Sequence, residues 1–247
     1  GSSGDGCSHF VRDAVLDYIA GKGKELKASA EGVVGVLEKA VASAEKKLRA
    51  HKAVNSRYSG CTGCILAVDT KGKRIYTCNV GDSRIVLGNG RKKAAEVAQL
   101  TKDHSPDDPI EAKRIRQSGG RVVDFSGVRR VCLADQNLPG LAMSRSFGDG
   151  VASGIGVSCV PDSTARSYGD TDRFLVVGTD GLFDFLSNPY IGSLVSEMIR
   201  KGKNPQTVCD RLVMEAVKRW KRGGGHYVDD VTAVVVFLNA HPGRGKI

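Results

Sequence analysis

FLVVGTDGLFDFLS, Phe174 to Ser187, drives a run of strand-forming residues straight into Asp180 and Gly181, with a second acid at Asp184. Phe174 to Val177 has the aromatic and β-branched content of a buried strand. Carboxylates at the end of such a strand lose hydration and repel one another, which is costly unless a counter-charge meets them. The stretch therefore reads as a rigid support that carries acids to one place.

Other acids sit at comparable points. Asp229 and Asp230 precede VTAVVVFL, Asp103 lies in the irregular TKDHSP, and Asp5 is followed by Gly6. Brought together, they would call for a cation. Oxygen ligands with no His or Cys beside them in sequence favour hard ions such as Mg2+ or Mn2+. Glycine after Asp lets the backbone approach an ion closely. Taken singly, each acid has a plainer reading. Asp180-Gly181 is a common turn, Asp103 can cap a loop, and Asp229 can guard an apolar strand. Asp82 in VGDSR reads as a hairpin-turn residue.

At 247 residues, with 40% apolar and 6% aromatic content, the chain can bury an α/β-type core built on aliphatic side chains. No apolar run is long enough to span a bilayer, and GSSG at the start reads as a cloning remnant or a loop. Lys and Arg total 37 against 27 acids, a net +10, but the excess is scattered through KGKELK, RKK, KRIR and KRWKR. Solvated helix faces explain it. A nucleic-acid module is disfavoured because aromatics are not interleaved with the basic runs. Seven cysteines without framework spacing suggest reduced thiols and an intracellular, cytoplasmic or nuclear, location. Cys61 and Cys64 have a redox or zinc spacing, yet no second pair accompanies them, and strand alternation sets them on opposite faces.

The pattern of elements predicts a mixed fold. Val11, Val15, Tyr18 and Ile19 mark a helix from Ser8 to Ala20, and Val33, Leu37, Val41, Ala44 and Leu48 mark a longer one. From Gly60 three short strands follow as an antiparallel meander, joined by DTKGK and GDS. Asp108, Pro109 and Glu111 predict a helix start in which Glu111 reaches back to the cap, and Gly119-Gly120 closes that helix. RVV, RRVCLA and FLVVGTD are strands. Asn188-Pro189 and Asn204-Pro205 each open a helix, the second turning Val208, Leu212, Ala216 and Trp220 inward. DDVTAVVVFLN is the last strand.

The order of NVGDSRIVL, LTKDHSPDDPIEAKRI with GGRV, LAMSRSFGD, FLVVGTDGLFDFLS and DDVTAVVVF resembles the metal-dependent Ser/Thr protein phosphatases of the 2C type, from Gly60 to Phe237. The resemblance implies an α+β fold, a four-layer α-β-β-α sandwich with two central antiparallel sheets. It implies one catalytic domain over residues 1–240, its opening strands missing or incomplete, and a tail at 241–247. It further implies hydrolysis of phosphoserine and phosphothreonine in phosphoprotein substrates by a water bridging two Mn2+ or Mg2+ ions, in a monomer. Asp5, Gly6, Asp180 and Asp229 take the metal-binding positions, with Asp103 and Asp184 for a third ion. Asp230 stands where the family usually has Asn, and Ser144 and Arg145 match a family segment without an assigned role.

The family's Asp-Gly-His-Gly-Gly is reduced here to Asp5-Gly6-Cys7, so no general-acid His is found, and His9 falls inside the helix. The phosphate-gripping Arg and the upstream acid are not present either. Either a segment is omitted between Gly6 and Cys7, or the chain is truncated, or it is a pseudophosphatase that serves as a phosphoprotein-binding or regulatory scaffold.

Overall fold

The computed structural model describes residues 4–27, 29–89, 96–223 and 228–238. Residues 241–247, expected to form a tail, lie outside the described residues, as does the basic run Arg91–Lys93.

Two helices come first, α1 (Gly6–Ala20) and α2 (Ala30–Ala50). Ser29 caps α2, its hydroxyl accepting the Gly32 N–H at 3.0 Å. Glu31 in the first turn and Lys47 and Arg49 in the last complement the helix dipole. The expected stripe of Val33, Leu37, Val41, Ala44 and Leu48 is buried, joined by Val36 and Ala40. On α1 the packed positions are Cys7, Val11, Ala14 and Val15, and this face lies against α2.

Four strands follow: β1 (Gly60–Cys61), β2 (Gly63–Asp69), β3 (Arg74–Val80) and β4 (Arg84–Asn89). The turn between β2 and β3 forms as expected. Asp69 Oδ1 accepts the N–H groups of Lys71 and Gly72 at 3.0 and 2.9 Å. The next connection differs from the expectation. β3 belongs to a sheet with β2, whereas β4 belongs to another sheet, so Gly81-Asp82-Ser83 is a crossover and Asp82 is not a hairpin-turn residue. The reason is long-range: β4 pairs with β11, about ninety residues on, where apolar side chains match it in register.

The remaining elements are β5 (Glu96–Gln99), α3 (Pro109–Gln117), β6 (Arg121–Phe125), β7 (Val128–Cys132), β8 (Pro139–Leu141), β9 (Phe147–Gly148), α4 (Gly150–Ser153), β10 (Asp162–Ser167), β11 (Asp172–Gly178), α5 (Asp180–Phe183), α6 (Asn188–Arg200), α7 (Pro205–Gly223) and β12 (Ala233–Phe237). The sheets run β12-β11-β4-β5, β10-β3-β2, β6-β7-β8 and β1-β9. Every pairing of β11, β12, β4 and β5 is antiparallel, as are those of β6 with β7, β7 with β8 and β1 with β9. The fold is thus mixed α+β on antiparallel sheets, as expected.

The chain divides into two compact units. The first comprises Gly1–Ile65, Cys78–Asp82 and Lys102–Ala165; the second comprises Leu66–Thr77, Ser83–Thr101 and Arg166–Ile247. In the first unit Ile115, Val131, Ala152, Ile155 and Val157 form one packed cluster. In the second, Phe174 and Val176 of β11 pack with Leu182, Phe183, Leu186, Ile191, Val195, Val208, Leu212 and Ala216. Phe174 faces Gly88 of β4, and a Cβ at Gly88 would fall 1.9 Å from the Phe174 ring. Only glycine lets that ring lie across the neighbouring strand.

Candidate functional site

In the second unit β11 ends at Gly178, and Asp180 opens the one-turn helix α5. The turn is tied to the segment before β12. The Thr179 N–H donates to the Thr232 carbonyl at 3.2 Å, and the Thr232 N–H donates back to Thr179 Oγ1 at 3.1 Å. The Thr179 hydroxyl donates to the Asp230 carbonyl at 3.2 Å. Gly181 lies so close to that strand approach that a Cβ would fall 2.5 Å from the Asp230 carbonyl oxygen. Two segments about fifty residues apart are thereby locked together, with an acid on each.

Those acids are Asp180 and Asp229. Burial pushes the Asp180 carboxyl above its ordinary value, and the charge of Asp229 pushes it further. The Gly181 N–H, donating to Asp180 Oδ1 at 2.8 Å, works the other way. Asp229 Oδ1 accepts the Asp230 N–H at 2.8 Å. The structure therefore places two of the acids singled out from the sequence, Asp180 and Asp229, on segments fastened to each other. Asp184 follows one turn later, exposed, its N–H donating to the Asp180 carbonyl at 2.8 Å.

Asp5 and Asp103 belong to the first unit. Asp5 stands just before α1, 82% exposed and 3.8 Å from His9 Nε2, with Gly6 exposed beside it. Asp103 is half-buried in the loop before α3.

A divalent ion suits the Asp180 and Asp229 pair. The donors are carboxylate oxygens, both residues are half-buried, the charge of Asp229 acts on Asp180, and a positive ion would relieve both burial and repulsion. Mg2+ is commonly held through only one or two carboxylates, keeping waters for the rest of its shell. Among the described residues no group of three or more His, Cys, Asp or Glu could hold a metal ion, so the pair would supply only part of a coordination shell. Cys61 and Cys64 form no such group either, falling on β1 and β2 of different sheets. Burial pushes the Cys61 thiol up to about 12 and that of Cys64 higher still, so neither is a ready ligand.

Glu111 corrects the sequence reading. The start of α3 is capped by Asp108, whose Oδ1 accepts the Ile110 N–H at 2.8 Å, with Pro109 at the first position. Glu111 does not reach back to that cap. It is 2% exposed and takes a bidentate pair of hydrogen bonds from Arg114, both at 2.7 Å. Arg145 donates from Nη2 at 2.8 Å and from Nε at 3.1 Å, and the Ser144 hydroxyl donates at 2.6 Å. Burial alone would raise the Glu111 carboxyl, but these donors hold it well below the usual range. A carboxylate so fully engaged has no capacity left for chemistry; it fastens α3 to Ser144 and Arg145. Sequence reasoning noticed all of these residues but assigned the carboxylate to the helix end, since a cap and a buried ion pair look alike in one dimension.

Asp149, the last residue of LAMSRSFGD, gets no role from the sequence. It sits just before α4 with φ 42°, and burial pushes its carboxyl up. The left-handed backbone at a non-glycine residue is the kind of signal only coordinates give.

Comparisons with known proteins point to one family. The family model described as protein phosphatase 2C matches residues 1–222. "Probable protein phosphatase 2C 73" of Arabidopsis thaliana is 38% identical over 207 residues, covering 82% of this chain and 54% of the relative. "Probable protein phosphatase 2C 72" of the same plant is 41% identical over 193 residues, covering 74% and 56%. The chain spans about half the length of the curated relatives it matches. In fold it is similar to the crystal structure of a serine-threonine phosphatase 2C from Toxoplasma gondii, with TM-score 0.79 at 21% identity over 95% of this chain and 81% of that one. A C. elegans sex determining protein gives TM-score 0.75 at 21% identity over 96% and 54%.

Proposed function

This chain belongs to the protein phosphatase 2C family, and we propose that it hydrolyses phosphoserine and phosphothreonine esters in phosphoproteins with divalent cations as cofactors. The observation that carries the reading is the Asp180 and Asp229 pair: two acids from distant segments, locked by Thr179 and Thr232, with burial and then the charge of Asp229 raising the Asp180 carboxyl.

In this reading Asp180 and Asp229 would hold Mn2+ or Mg2+, with two ions per active site and a third near Asp184 as the finer expectation. Such an ion, when bound, supplies the positive charge that polarises a water and the phosphoryl oxygens. The protein's own part is to hold its acids rigidly. β11 brings Asp180 to a fixed strand end, Gly181 permits the close approach of the Asp230 carbonyl, and Thr179 stops the two segments from separating. Preorganised carboxylates do not have to move when charge builds on the phosphoryl group. Among the described residues no helix is long and apolar enough to cross a membrane. The seven free thiols support an intracellular location.

The test is hydrolysis of an aryl phosphate and of a phosphothreonine peptide in Mn2+. The expected result is turnover that EDTA abolishes, that added Mn2+ restores, and that Asp180→Asn lowers by at least a hundredfold. Turnover that survives chelation would overturn the reading.

A further inference from the structure

The turn that carries Asp180 is gripped from outside. α5 is a single helical turn, too short to be stable by itself. Its carbonyls need partners beyond the helix. Two successive residues of α7 bond this turn and the chain just after it. Trp220 Nε1–H donates to the Gly181 carbonyl at 2.7 Å, and Arg219 Nη1 donates to the Phe185 carbonyl at 2.9 Å. Trp220 packs against Phe185 with the rings inclined at 47° and their centroids 4.4 Å apart, while Arg219 lies 3.8 Å over Tyr190 and bonds Glu215 at 3.2 Å.

Packing alone does not explain Trp220. The α7 positions that fill the core, Val208, Leu212 and Ala216, are fully buried. Trp220 is the next residue on that stripe, yet it is only half-buried and turns its polar edge toward a carbonyl. Phenylalanine would fill similar space without offering a donor.

We infer that Trp220 is a positioning residue for the metal: its indole N–H fixes the carbonyl of Gly181, the residue after Asp180, so that the carboxylate is aimed before a cation arrives. This rests on the reading of Asp180 and Asp229 as ligands. Groups that orient ligands in this way typically change metal affinity by about ten- to a hundredfold when removed.

The chain contains one tryptophan, so it has one indole N–H resonance. The experiment has two parts. Mn2+ affinity is measured by calorimetry for the unaltered chain and for Trp220→Phe. The indole resonance of the unaltered, 15N-labelled chain is followed as Mg2+ is added. Trp220→Phe is expected to melt within a few degrees of the unaltered chain while its Mn2+ dissociation constant rises about tenfold. A folded Trp220→Phe that binds Mn2+ as tightly as the unaltered chain overturns the inference and leaves the ligand reading standing. An unaltered chain that binds no Mn2+ overturns the ligand reading and the inference with it. Should the variant fail to fold, the resonance decides. A shift that shares its midpoint with metal binding, and that Asp180→Asn abolishes, supports the role; an unmoved resonance overturns it.

Discussion

Arg145 meets Glu111 where almost no solvent reaches: Nη2 lies 2.8 Å from Oε1, with the two side chains 14% and 2% exposed. Arg145 also bonds the Val160 carbonyl at 2.8 Å and Asp162 Oδ1 at 2.9 Å. Arg114 completes the arrangement, bonding the carbonyls of Gly156 and Ser144, both at 2.9 Å. One carboxylate thus organises two guanidinium groups, and they in turn hold much of the segment from Ser144 to Asp162.

Removing Glu111 should be severe. Glu111→Ala leaves two arginines without their shared counter-charge, at a cost of about 3 kcal/mol, the lower end for a broken buried pair because Arg114 keeps some solvent. Urea unfolding measures it. A loss within experimental error of zero would show that the pairs are energetically idle.

The same carboxylate should shape the acid limb of stability. Its folded-state value is held below the ordinary 4.5 by hydrogen bonds from Arg114, Arg145 and Ser144, which outweigh burial. The unfolded chain therefore takes up the proton first, and stability falls as pH drops below about 4.5 and on through the folded value. Glu111→Gln should unfold more readily at neutral pH and show a shallower loss on acidification. A slope identical to that of the unaltered chain would contradict this.

His104 gives a second pH dependence, nearer neutrality. It is 1% exposed, and its Nδ1 accepts the Gly81 N–H at 3.0 Å, which places the ring proton on Nε2, 3.1 Å from Asp162 Oδ2. Burial, then the charge of Arg145, lowers the imidazole below its ordinary 6.5. Its contribution is therefore full above about 6.5 and declines as pH falls through the folded value. His104→Phe should cost about 2 kcal/mol by leaving the Gly81 N–H without an acceptor. It should also remove the part of the pH slope that begins near 6.5, which thermal melts across that range would reveal.

Gly181→Ala probes the lock between the two acid-bearing segments. A Cβ there would fall 2.5 Å from the Asp230 carbonyl, so the turn and the β12 approach must part. Phosphatase activity and Mn2+ affinity should each fall at least tenfold, the scale on which misplaced ligands cost metal binding. Circular dichroism should show the strands retained, because β11 and β12 still pair over five residues.

How far the sequence could be read depended on how local each signal is. The α2 stripe is a property of one helix, and every residue named for it is buried. The Asp108-Pro109 start is equally local, and its cap forms. Glu111 obeyed the same local rule on paper, but two arginines and a serine offered it more than a helix end could. Asp82 failed for a related reason. A turn-like tripeptide between two strands says nothing about which sheet each strand will join, and β4 is claimed by β11. Among the acids, Asp180 and Asp229 stand out in the sequence because each lies beside an apolar strand. The role of Trp220 was not, since periodicity reports which side a residue faces and not the carbonyl its N–H will find.

The central claim is that Asp180 and Asp229 share a hard divalent cation. The most direct measurement is anomalous scattering from crystals soaked in Mn2+. A peak in contact with carboxylate oxygens of both residues, lost in Asp180→Asn, is the predicted result. Well-ordered crystals with both side chains visible and no peak between them would contradict the account.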